Sequence, residues 1–181
     1  MTPFRAMTTT RAERTGARLG DEIVPRADVV MDRAFDLPST PDRVWPWIVQ
    51  LGKQRAGWYL PHRIERWLPR RFRALRRIDP ELQSLAVGDI IPDWGGREET
   101  FEVAILDAPT TLVHRSRRGR MNVSWAITLR PQGESGTRMH LRLRLGPVRR
   151  PWLANSGGEL VDLLTIAGLA AGLRERVCAT G

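Results

Sequence analysis

Three side chains stand where they could bind a polar group or move a proton: Arg33, Tyr59 and His114. His114 shares strand parity with Leu112, so its imidazole is expected to face inward. There it is either a hydrogen-bonded core residue or a base. Arg33 falls on the apolar parity of the segment Val29, Met31, Phe35, Leu37. A buried guanidinium needs a partner, because an isolated interior charge is very costly. It could grip a ligand carboxylate or phenolate in bidentate fashion, or pair with an acid at the strand end. Tyr59 is the single tyrosine and follows Gly57-Trp58. Its hydroxyl needs a partner if buried, and Trp58 with Tyr59 could gate an entrance or staple two short helices together.

Other aromatic residues join these as pocket candidates. Trp125 lies on the buried parity of its strand, as cavity wall or core, and Trp94 sits beside Gly95-Gly96 in a turn. No spacing makes Arg33, Tyr59 and His114 converge. The chain has no nucleophile elbow and no carboxylate pair in a recognisable frame, and Gly95-Gly96 lacks the strand–loop–helix context of a phosphate site. Cys178 is the single cysteine, so neither a disulfide framework nor a metal-ligand spacing is present, and no cofactor is expected.

A different chemistry is suggested by the run 63–77. It carries Arg63, Arg66, Arg70, Arg71, Arg73, Arg76 and Arg77 against Glu65 alone. This is either a solvated face or a patch for an anionic membrane surface or an acidic partner. The whole chain has a formal charge of +9, which invites a nucleic-acid reading. Yet Lys53 is the only lysine among 29 basic residues. That skew fits GC-rich codon usage better than a selected DNA surface, and no nucleic-acid motif accompanies it.

The elements that must position these groups are legible in the patterning. At 181 residues with 41% hydrophobic and 27% charged content, the chain has the composition of one soluble globular domain. Residues 1–26 read as a disordered or loosely packed leader, with Met7 an alternative start, and 27–181 as a single domain. The basic N-terminus has no apolar stretch of the secretory kind, and the apolar run 160–173 contains Asp162 and is too short to span a bilayer. A cytoplasmic protein is expected.

Val29–Leu37 alternates as a half-buried strand. Ser39 or Thr40 reads as an N-cap, Pro41 as the first helical residue, and Val44, Trp45, Ile48 and Leu51 as a core-facing stripe. Pro46 should kink or shorten that helix, and Gly52 should end it. A second short amphipathic run covers 64–68. Strands follow at 89–92, 100–107, 112–116, 122–130 and 138–145, joined by turns. In the last, Met139, Leu141, Leu143 and Leu145 alternate with Arg138, His140, Arg142 and Arg144, as in an antiparallel strand with one buried and one wet face. After a Pro/Gly-rich connector over 146–158, residues 159–177 form a long helix, apolar around most of its circumference apart from an arc at Asp162, Thr165 and Arg176. Such a helix must be embraced by the fold. Its small residues Gly168, Ala170, Ala171 and Gly172 either permit close backbone packing or leave volume for a ligand, and Leu164 and Gly168 are further pocket candidates.

One strand, two short helices, a series of antiparallel strands and a long terminal helix make an α+β order in which one curved sheet of about six strands grips the helix. The motifs STPDRVWPWIVQ at 39–50, RAGWY at 55–59, PELQ at 80–83 and VGD at 87–89, with Pro92, resemble a bacterial subgroup of the START-like (SRPBCC) superfamily, over roughly residues 28–175. The Ser-Tyr-Asp-Trp usual after Gly-aromatic-Tyr is here Leu60-Pro61-His62-Arg63, so no acid/base role of that aspartate transfers. The resemblance implies a helix-grip fold and a hydrophobic small-molecule ligand (lipid, polyketide or aromatic) held between sheet and helix. It also admits a polyketide cyclase or aromatase working in the same cavity. A surface module using the arginine patch is the third alternative. With no converging catalytic set, binding without catalysis is the favoured reading.

Overall fold

The computed structural model describes residues 8–94, 96, 98–148 and 159–179, with the backbone alone over 159–162. Met7, Gly95, the connector residues 149–158 and the side chain of Asp162 lie outside the described residues. The element order is α1 (Arg11–Thr15), β1 (Val29–Leu37), α2 (Pro41–Val49), α3 (His62–Glu65), β2 (Ile90–Pro92), β3 (Thr100–Asp107), β4 (Thr111–Arg118), β5 (Met121–Gln132), β6 (Gly136–Gly146) and α4 (Glu159–Ala179). Short 3-10 turns form at Asp21–Ile23, Arg70–Phe72 and Pro80–Leu82.

All six strands make one curved antiparallel sheet in the order β1-β6-β5-β4-β3-β2. Neighbours in sequence are neighbours in space from β2 to β6, as hairpin-length connections require. β1 closes the far edge on β6, with Met31 opposite Leu143 and Phe35 opposite Met139. The concave face carries Phe35, Leu37, Leu112, Ile127, Leu129, Met139 and Leu141, all buried against Leu169 and Leu173 of α4 and Trp47 and Ile48 of α2. This is the α+β helix-grip architecture that the alternation predicts.

α2 departs from expectation in two details. Thr40 has the extended N-cap backbone but its side chain accepts no amide. The buried tryptophan is Trp47 rather than Trp45, which is half-buried. Trp47 lies three residues after Val44, so the same helical stripe admits it. Pro46 stands inside a helix of nine residues, short as expected.

The reading of residues 1–26 as a disordered or loosely packed leader is corrected for residues 8–26. They lie across the outer face of β6, so the row Arg138, His140, Arg142, Arg144 is not wet. Arg138 pairs with Glu13 at 2.8 Å, and Arg144 donates to the Val24 carbonyl at 2.9 Å. Arg142 is 3% exposed and donates to the carbonyls of Glu13, Arg14 and Gly16 and to the carboxylates of Asp21 and Asp32. Five acceptors satisfy a charge that would otherwise cost several kcal/mol to bury, on the order of the penalty for an unpaired interior ion. Burial alone would raise the Asp32 carboxyl, but His140 and Arg142 beside it hold it below the usual carboxylate range.

Arg176, expected on the polar arc of the last helix, is likewise inside. Its guanidinium meets Glu65 at 2.7 Å, donates to the carbonyls of Leu75, Leu60 and Gly172, and lies 4.5 Å over the Tyr59 ring. α3 is only four residues long, and Ile64 points outward while Glu65 is buried. Among the described residues, no helix is long and apolar enough to cross a membrane.

Candidate functional site

The sheet does not close completely on α4. Between its β2–β3 end and the N-terminal part of the helix lies a cavity of about 420 Å³. Met31, Leu143 and Leu145 form one wall, Phe101, His114 and Trp125 the floor, and Trp58, Ile91, Trp94, Thr165 and Ile166 the opposite side. Strand register explains the floor. His114 pairs with Trp125 across β4 and β5, and Trp125 with Leu143 across β5 and β6, so three inward residues lie side by side. Their rings follow: His114 stacks on Trp125 (centroids 5.5 Å, planes 23° apart), and Phe101 tilts against both.

Trp58 stacks on Trp125 at 6.0 Å and meets the edge of Trp94 at 5.6 Å. Its indole N–H donates to the Thr165 carbonyl at 3.3 Å, tying the Gly57 turn to α4. The turn needs glycine at 57. Its φ is +86°, and a Cβ there would come within 3.0 Å of the Ala74 Cα.

His114 is 4% exposed, and its Nδ1 makes no hydrogen bond of normal geometry among the described residues. Burial, reinforced by the nearby Arg55 charge, pulls the imidazole down to about 4, against a weaker opposite pull from the Trp125 backbone. The ring is therefore neutral at physiological pH. Asp93 also touches the cavity, but Arg118 forms a short ion pair with it and Lys53 donates to its carbonyl at 2.7 Å. Aromatic and aliphatic surface with one neutral polar ring and a compensated carboxylate can hold an apolar molecule and orient one polar group on it.

Of the expected site residues, Trp58, Trp94, His114 and Trp125 come together here, and four do not. Tyr59 is fully buried outside the cavity, its hydroxyl donating to the Trp47 carbonyl at 2.9 Å and its ring edge-on to Trp47. Burial raises its phenol well above the ordinary value, with a hydrogen-bonding contact to Gln50 opposing. It staples α2 to the loop before α3. Arg33 is half-buried on β1 opposite Leu141, donates to the Asp32 carbonyl at 3.1 Å and does not line the cavity. Leu164 is 54% exposed, because each helical step turns the side chain by about 100° and Ile166 takes the inward phase, with the exposed Thr165 at the rim. Gly168 marks a close approach, since a Cβ there would meet Leu60 Cδ2 at 2.6 Å. The volume its smallness leaves is filled by Leu60. Phe101 is the aromatic that sequence reasoning missed as a site residue. Its parity with Val103 and Ile105 marked it as inward, but parity does not separate floor from core.

No family model matches the chain, and no curated protein matches it. Solved structures do. A structural-genomics protein of Rhodobacter sphaeroides superposes with a TM-score of 0.56 at 14% identity, over 87% of this chain and 97% of that one. A point mutant of norcoclaurine synthase from Thalictrum flavum, in complex with a transition-state analogue, gives 0.53 at 14% identity over 84% and 95%. A Chromobacterium violaceum protein gives 0.50 at 15% identity over 80% and 97%. The chain therefore has the helix-grip fold of these structures, an antiparallel sheet curved around its last helix, with a cleft where the two diverge.

Proposed function

We propose that this protein binds a flat, uncharged hydrophobic small molecule in the cavity between the sheet and α4, without chemistry. The observation that carries the reading is the cavity itself: about 420 Å³ bounded by Trp58, Trp94, Phe101, Trp125 and aliphatic residues, with His114 the polar group in its floor. That volume lies in the range of small-molecule sites, roughly 300–1,000 Å³. A lining rich in aromatic faces and edges favours a planar ligand over a flexible acyl chain. The cyclase-type alternative receives less support. Of the three residue types that could move protons, Arg33 and Tyr59 stand outside the cavity, and an imidazole held at about 4 is a weak base near neutral pH.

The test is native mass spectrometry of the purified protein with organic extraction, followed by titration with naphthalene and with a fatty acid. A stoichiometric apolar adduct, or naphthalene binding that Trp125→Ala weakens by about tenfold, supports the reading, since aromatic stacking of this kind is worth ~1 kcal/mol or more. Charge reversal at Arg70, Arg71 and Arg73 should leave that binding intact. A protein that is empty and ignores both probes sinks the proposal. Turnover of a bound polyketide abolished by His114→Ala, with binding kept, would instead establish the cyclase reading.

A further inference from the structure

The segment 62–73 makes a lobe whose outward face combines bare hydrophobic side chains with unneutralised cations. Trp67 is 78% exposed, Phe72 60% and Ile64 43%. Surface aromatics of this size are depleted on ordinary solvated faces and mark sites of interaction. Ile64 and Trp67 lie three residues apart, with the Trp67 amide donating to the Ile64 carbonyl, so both leave the same side of α3 and the turn that continues it. The Arg73 guanidinium donates to the carbonyls of Arg66 and Leu68, folding the stretch that carries Phe72 back toward the end of α3.

The charge on this face has a single sign for a structural reason. Glu65, the only acid in 62–77, is turned inward, its side chain 3% exposed and paired with Arg176 and Arg76. Arg76 also reaches Glu175, and Arg77 lies near Asp79. Arg63, Arg66, Arg70 and Arg71 are exposed and have no carboxylate within ion-pair distance among the described residues. The lobe is held on the body by the Leu75 amide donating to the Ala56 carbonyl, by Ala74 packed under Gly57, and by Arg176 on the Leu75 carbonyl. It is presented in one shape, so docking loses little chain entropy.

We infer that this lobe docks on the headgroup layer of an anionic phospholipid bilayer, with Ile64, Trp67 and Phe72 entering the interface and Arg63, Arg66, Arg70 and Arg71 meeting lipid phosphates and carboxylates. Amphipathic rings settle at the headgroup level, and juxtaposed arginines add electrostatic attraction to an anionic leaflet. Single-stranded nucleic acid fits the face less well. Arg66 lies 5.2 Å over the Trp67 ring and Arg71 4.8 Å over Phe72, so each ring keeps one open face for a base at most, and Ile64 offers no stacking surface. The inference stands apart from the cavity reading.

The experiment is co-sedimentation of the full chain with vesicles of phosphatidylcholine alone and with about three-tenths phosphatidylserine, at low and high salt, beside a labelled oligouridine. Expected is binding to the anionic vesicles at low salt that weakens with salt. It should fall by about tenfold or more both in Trp67→Ser/Phe72→Ser and in Arg66→Glu/Arg70→Glu/Arg71→Glu. These side chains are exposed, and an unchanged thermal melt confirms folding. A Trp67→Phe variant that keeps binding keeps the test valid if the serine variant misfolds. No binding to anionic vesicles at low salt overturns the inference, as does binding indifferent to these substitutions. Oligouridine binding that depends on the same arginines, without vesicle binding, would assign the face to nucleic acid and overturn it too. Naphthalene titration of each variant reads the cavity separately.

Discussion

Replacing His114 with phenylalanine should remove a specific pH dependence from the stability of this protein. The imidazole is 4% exposed, and its environment holds it down to about 4, against 6.5 in the unfolded chain. Between those values the unfolded chain takes up a proton that the folded protein refuses. Stability contributed by the neutral ring is complete above about pH 6.5 and is lost as pH falls toward 4. At ~1.4 kcal/mol per pH unit, the interval corresponds to at most about 3 kcal/mol. The assay is urea unfolding of wild type and His114→Phe at closely spaced pH values from 8 down to about 4, the lower end of that interval. Both proteins carry every other titrating group, so the difference between their curves isolates this ring. It should be flat above pH 7 and change by up to about 3 kcal/mol in favour of the variant on acidification. Parallel curves would refute the claim that His114 is buried and neutral. Naphthalene affinity should also persist in the variant, because the lost nitrogen is not what holds an apolar ring.

Two further outcomes test the packing around the site. Gly172→Ala should destabilise strongly, by roughly 1–3 kcal/mol, since its Cβ would come within 2.7 Å of the Tyr59 and Leu60 backbone, whereas Gly168→Ala meets only the end of the Leu60 side chain and should cost less; thermal melts of the pair decide this. Arg176→Met alone should cost about 3 kcal/mol in urea unfolding because it removes the buried partner of Glu65 and leaves that carboxylate with the part-exposed Arg76 alone, and adding Glu65→Leu should recover much of that loss; equal losses in the single and double variants would contradict it.

How far each of these residues could be read in the sequence follows from what alternation and helical spacing encode. Period-two patterning located β1, β3, β5 and β6 and placed His114 and Trp125 on the inner face, because a half-buried sheet imposes that period on every strand. The same patterning failed where the opposite face was also covered. Arg138, His140, Arg142 and Arg144 look like a wet row, yet carbonyls and acids of residues 13–24, more than a hundred positions away, engage the three arginines, and His140 is buried beside Asp32. Local periodicity carries no information about a partner at that separation.

What the sequence determined by itself is the order of elements, the inward parity of the strands and the terminal helix as the object they grip, all consequences of short-range spacing. What only the tertiary structure decided is which inward residues are core and which are cavity. Tyr59 and Trp58 are adjacent in the chain, yet one closes on Trp47 and the other faces Trp125. Leu164 and Ile166 share an apolar helix but differ in phase toward the sheet. Glu65 faces inward and leaves its neighbouring arginines alone at the surface because Arg176, far along the chain, offers it a buried partner. Each of these choices depends on how strand twist and helix placement bring distant side chains to within a few ångströms.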